Sequence, residues 1–388
     1  SDGDYSFTKF QRIEGHGVNM TAISEVSKLS WRAIENDYTL DQYEEELEKI
    51  RKKKRNYTPW QVAIGAGFAC GGFCIQFGCD WVAFLYASIA AILGMRLRQV
   101  CNESGLNHYM GIAISAFVAT IIAWASTLLP AEWKYTHWHP LLACALFIVP
   151  GVPLINFVDD MLDNYIQVGI VRAVNTLLMV AAMAFGIAFA VKLCHIENFF
   201  PTISMVPHHQ YWEYAIAAAI SAMGFSMIFN IQRRLLWVVA IGGIIAVCTR
   251  NFVNLGPSTD NIGLDMGLVI GSFSGAVLVS LIAIKAVHWF HVPNHVLTIP
   301  SVIPMIPGVL MYRMLFGIIN INVQSIDQVT PLMKAIESGV NSGLVIMCIA
   351  LGVAIPNIFG RRFIASSKNK RLAELLKERK ARGKFVEW

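Results

Sequence analysis

Ten long apolar runs separated by short polar gaps leave this 388-residue chain little choice of fold. They fall at about 60–78, 81–98, 109–129, 139–157, 168–194, 211–229, 234–250, 263–287, 296–320 and 335–358. A helix needs about 20 apolar residues to cross lipid, and longer ones tilt. Only 15% of the residues are charged, against about 25% in a soluble domain. They concentrate in the first 55 residues, the last 28 and the gaps. The expectation is an all-α integral membrane protein of ten transmembrane helices. The first residues carry no cleavable signal pattern. The net charge of +5 does not indicate nucleic acid, because the basic residues sit beside apolar runs, where they set orientation and meet anionic headgroups.

Lys and Arg also predict topology. Arg51–Arg55, Arg96, Arg98, Arg233, Arg234, Lys285 and the basic tail fall on one side if there are ten spans. Both termini are then cytoplasmic. Four segments follow: a cytosolic helical segment over 1–56, five-helix membrane repeats over 57–204 and 205–360, and a basic cytosolic tail over 361–388. In the first segment, Thr39 and Gln42 form a capping box that opens the second helix of a hairpin. The tail, with Leu372, Leu375 and Leu376 among its basic residues, lies on the inner leaflet or in solvent.

Two of the runs are interrupted. "FIVPGVP" at 147–153 returns as "PMIPGVL" at 304–310, so that Gly308 follows Gly151 by about 157 residues. Each motif lies in the fourth span of a five-span unit. Five is odd, so the second unit crosses the membrane upside down relative to the first, and the fourth and ninth helices are broken where they can face each other. Inverted repeats with broken helices are a recurrent transporter design, with substrate bound near the midplane. A helix break frees backbone N–H and C=O groups, which lipid tolerates only around a cavity or inside protein. The new helix N-termini after Pro150-Gly151 and Pro307-Gly308 carry partial positive charge suited to a carboxylate. The alternative is a proline kink that serves packing alone. The repeat rests on the shared motif and the span count.

Polar residues follow each break. Asn156 binds substrate or caps a freed backbone group. Asp159 and Asp160 lie about 10–13 Å past the first break, and an intramembrane carboxylate is a candidate proton carrier. Arg172 is a candidate partner for Asp160. Arg313, about 9 Å past Pro307, recognises a carboxylate or snorkels as a packing residue. Tyr312 is a candidate donor and Asp265 a candidate partner for Arg313. The spacing of His288, His291 and His295 invites a metal reading, but Pro293 interrupts that turn, and no metal or cofactor is expected. The eight cysteines read as small buried residues. No hydrolase, zinc-protease or P-loop pattern occurs, so the reading is a transporter and not an enzyme.

"VPGVPLINFVDDMLDNYIQVGIVRA" (149–173) and "IPMIPGVLMY" (303–312) resemble the two signatures of the threonine/serine exporter family, with both halves fused in one chain. "GCDW" (78–81) and "SAFVAT" (115–120) add to the resemblance, which spans about 18–360. It implies proton-driven export of small amino acids from the bacterial cytoplasm. Split relatives imply the alternative, export of dicarboxylates such as succinate; a passive channel is a further one. On this reading Pro150, Gly151, Pro153, Asn156, Pro307, Gly308, Tyr312 and Arg313 bind substrate, and Asp160 with Asp159 couples protons. The partners are a small carboxylate substrate, protons and the lipid bilayer, with homo-oligomerisation left open.

Overall fold

A computed structural model describes residues 17–128, 141, 143–196, 209–257, 262–319 and 329–381. It is all-helical, with no strand among the described residues. A hairpin comes first: α1 (Met20–Asn36) and α2 (Leu40–Lys52). Asn19 caps α1. Thr39 and Gln42 close the expected capping box on α2. Asp37, in the left-handed region at φ 56°, turns the chain between them.

The membrane domain follows. Its first part contains α3 (Pro59–Gln76), α4 (Trp81–Glu103), α5 (His108–Trp124), α6 (Gly151–Leu162) and α7 (Ile166–Leu193). Its second part contains α8 (Tyr211–Ile228), α9 (Leu236–Asn254), α10 (Leu268–Phe290), α11 (Asn294–Val302), α12 (Gly308–Ile319) and α13 (Val329–Ala381). Among the described residues, five helices are long and apolar enough to cross a membrane: α4, α7, α9, α10 and α13. The pair α11–α12, bent by 61° at its break, makes a sixth. Of the expected fourth span, residues 139, 140 and 142 lie outside the described residues. The last helix runs from Val329 to Ala381 through position 360, so the basic tail continues the final span as helix.

The side-chain distribution is that of a lipid-embedded bundle. Large apolar groups point outward, among them Leu85 (58% exposed) on α4 and Phe185 (62% exposed) on α7. Small residues lie inside: Ala66, Ala69, Ala87, Ala91, Ala116 and Ala218 are fully buried. Between lipid-solvated helices, packing gains come from close approach of small residues. The α3–α8 contact illustrates this. A Cβ on Gly72 would stand 2.6 Å from the Ala217 carbonyl oxygen, and one on Gly224 would stand 2.7 Å from the Ala69 nitrogen. Any larger side chain at either position would force the two helices apart. The chain is therefore a multi-pass membrane protein.

The α1–α2 hairpin is fastened to one face of this bundle through Asn230, which is 3% exposed and left-handed at φ 56°. Its Oδ1 accepts the Asn56 N–H at 2.8 Å and its Nδ2 donates to Asn19 Oδ1 at 2.8 Å. Its carbonyl accepts from Thr21 Oγ1, and the Met20 N–H donates to the Phe229 carbonyl at 3.0 Å. The start of α3, the end of α8 and the start of α9 therefore share the hairpin face. The end of α9 and the start of α8 lie at the opposite, far face.

Candidate substrate site at the helix breaks

The two interruptions have the same local form. Leu146–Ile148 is a 3₁₀ turn, followed by Val149, Pro150 and the start of α6 at Gly151. Ile303–Met305 is a 3₁₀ turn, followed by Ile306, Pro307 and the start of α12 at Gly308. Pro150, at φ −78° and ψ 64°, makes an inverse γ-turn. The Gly151 N–H accordingly donates to the Val149 carbonyl at 2.8 Å, and the Gly308 N–H to the Ile306 carbonyl at 2.9 Å.

This corrects the expectation that the Gly151 and Gly308 amides face a ligand, because the turn already uses them. The next intrahelical bonds are Leu154 N–H to the Pro150 carbonyl and Met311 N–H to the Pro307 carbonyl. Pro153 has no N–H. The amides without a backbone acceptor among the described residues are thus those of Val152, Val309 and Leu310.

The breaks touch. A Cβ on Gly151 would lie 2.7 Å from Ile306 Cδ1 and 3.3 Å from Ile303 Cγ1. Glycine is needed here because the other broken helix occupies the space of a side chain. Val152, Ile303 and Ile306 are buried around this contact. Asn156, one turn on, is half-buried and has no hydrogen-bond partner among the described residues.

Further along α6 lies a polar cluster where α6 ends and α11 begins. Arg172 Nη1 of α7 stands 2.5 Å from Asp160 Oδ2. Asp159 Oδ2 stands 3.8 Å from His295 Nε2 on α11, and that nitrogen is 3.1 Å from Asn357 Nδ2 on α13. His295 occupies the first turn of α11 and bridges the two parts of the membrane domain. The available signal was its position directly after Pro293 and Asn294, a helix start. His291 caps α10 in the left-handed region, and the His288 side chain lies outside the described residues.

Arg313 is half-buried on α12, whereas the Tyr312 side chain lies outside the described residues. The expected Asp265–Arg313 pair does not form. Asp265 is exposed on the loop before α10, held left-handed at φ 53° while its N–H donates to the Leu255 carbonyl. At the far face His209 bridges Glu213 Oε2 at 3.0 Å and the Cys79 carbonyl at 2.8 Å.

Comparisons with known proteins agree with this architecture. A threonine/serine exporter family model matches residues 1–194. A second, "Threonine/Serine exporter, ThrE", matches residues 214–359. The chain is 28% identical over 193 residues to the "Probable succinate transporter subunit YjjP" of Klebsiella aerogenes, covering 50% of this chain and 73% of that protein. It is 27% identical over 186 residues to the protein of the same name in Escherichia coli K12, covering 48% and 72%. No solved structure matches. This chain thus belongs to the threonine/serine exporter family, carries both of its halves in one polypeptide, and is a transporter of small molecules, not an enzyme.

Proposed function

We propose that the protein is a secondary active exporter that moves small carboxylate-bearing metabolites out of the bacterial cytoplasm in exchange for protons. The observation that carries this reading is the contact of the two Pro-Gly breaks at Gly151 and Ile306. Two oppositely directed five-helix repeats would bring their broken fourth helices together in this way. The N–H groups of Val152, Val309 and Leu310, with Asn156, would receive the substrate carboxylate at the positive ends of α6 and α12. Arg313 and Tyr312 would set selectivity. Threonine and serine are the substrates that the family description supports. Succinate is a second reading, favoured by the names of the two bacterial relatives.

For coupling, Asp160 already faces a guanidinium, while Asp159 faces His295 across the boundary between the two parts. A carboxylate–imidazole pair can share a proton near neutral pH. Its closure would tie α6 to α11 and α13 at the hairpin face, which the Lys and Arg asymmetry would orient toward the cytoplasm. Rocking of one part against the other would then alternate access. The test is uptake of labelled threonine, serine and succinate into proteoliposomes with and without an imposed pH gradient. Gradient-stimulated flux of one of them is expected. No flux of any overturns the substrate assignment, and flux indifferent to the gradient overturns the coupling.

A further inference from the structure

Arg98 and Arg250 both lie on the buried stripes of their helices. Arg98 continues the stripe of α4 that contains the buried Ala91, Gly94 and Met95. Arg250 continues the stripe of α9 that contains the buried Gly243, Ala246 and Val247. Those stripes face the helix breaks. A Cβ on Gly94 would stand 3.0 Å from Phe147 in the first 3₁₀ turn, and α9 packs against the second. Both arginines are half-buried, and neither forms an ion pair among the described residues. Arg98 makes no side-chain hydrogen bond there, and Arg250 donates only to Asn251 Oδ1, at 3.1 and 3.0 Å.

A half-buried cation without a counter-ion at the end of a membrane helix is a candidate functional position. Beside Arg250 lies a second independent signal. The Tyr214 side chain is 1% exposed, and its hydroxyl is buried without a hydrogen-bond partner. Arg250 and Glu213 act on it electrostatically, and Glu213 is itself engaged by His209 and the Gln210 N–H. The guanidinium N–H groups that Asn251 leaves unused and a phenol O–H without an acceptor make a donor set for a carboxylate.

The sequence repeats this arrangement. Arg98-Gln99-Val100-Cys101-Asn102 and Arg250-Asn251-Phe252-Val253-Asn254 end the second helix of each part. The two ends lie at opposite faces. Gln99 Nε2 donates to the Pro59 carbonyl at the hairpin face, whereas Tyr214 and Arg250 lie at the far face. We infer that Arg250 with Tyr214 forms a carboxylate-docking site at the far-face mouth, with Arg98 as its counterpart at the hairpin face. The inference rests on the carboxylate-export reading and adds the stations at which substrate leaves and enters.

The test uses full-length protein in phosphatidylcholine nanodiscs, with succinate and threonine as probes and melting temperature as the readout. Arg250→Gln is expected to raise the concentration for half-maximal stabilisation at least tenfold, and Tyr214→Phe, a smaller change, about threefold. In proteoliposomes of one orientation, Arg250→Gln should raise KM for substrate offered at the far face, and Arg98→Gln for substrate at the hairpin face. If wild type is stabilised and both far-face variants match it, the docking site is overturned while the carboxylate reading stands. If neither probe stabilises wild type, both fall. If each arginine variant raises KM equally from both sides, the assignment of one station to each mouth is overturned.

Discussion

Gly151→Ala tests the contact between the breaks in a way that can be worked from the structure. The added methyl would lie 2.7 Å from Ile306 Cδ1, about 1 Å inside the separation that carbon atoms prefer. Ile306 is 4% exposed and cannot swing into open space. Relief needs an off-rotamer side chain or a shift of the backbone, at about 1–3 kcal/mol. Ile306→Val deletes the clashing carbon alone and by itself costs about 0.5–1.5 kcal/mol. If the breaks touch, the double variant is more stable than the sum of the single effects by about 1 kcal/mol or more. Unfolding by denaturing detergent in mixed micelles, run on all four proteins, gives the cycle. Costs that add to within about 0.5 kcal/mol would refute the contact.

Three further outcomes follow from the same geometry. His295→Gln should preserve exchange of labelled substrate across liposomes at equal pH while abolishing accumulation driven by a pH gradient; retention of both rejects His295 as part of the coupling. Asn230→Ala should cost about 2–4 kcal/mol, because it strands the Asn56 N–H and Asn19 and leaves alanine in the left-handed region, and hydrogen exchange should rise across α1 and α2; unchanged protection there contradicts the docking. Burial, and then the nearby Arg234, hold the Lys28 ammonium below the ordinary lysine range. A depressed lysine value destabilises the fold at neutral pH and ceases to do so above the unfolded pKa, so Lys28→Met should not lower the melting temperature at pH 7.

The helices were legible because lipid imposes simple demands on composition. The Thr39 capping box, the apolar runs of α4, α7, α9, α10 and α13 and the paired Pro-Gly interruptions map onto observed elements. What stayed hidden depends on contacts between distant segments. Nothing local indicates that Gly151 meets Ile306, or that His295 reaches Asp159 and Asn357. Local chemistry misled at the glycines. A Pro-Gly start suggests open amides, whereas the γ-turn at Pro150 consumes the first of them and moves the free donors one residue on. Counting Arg98 for orientation hid its place on the buried stripe of α4, and Arg250 is likewise seen on the stripe of α9 only once the helix is laid out.

The most direct measurement is a cross-link between the interrupted segments. Cysteines at 151 and 306, in a background with the native cysteines replaced, are joined by a short bifunctional thiol reagent in reconstituted vesicles. The account predicts rapid intramolecular linkage, arrest of substrate flux, and recovery of flux after reduction. Thiols that stay unlinked, or linked protein that transports at the unlinked rate, would contradict it.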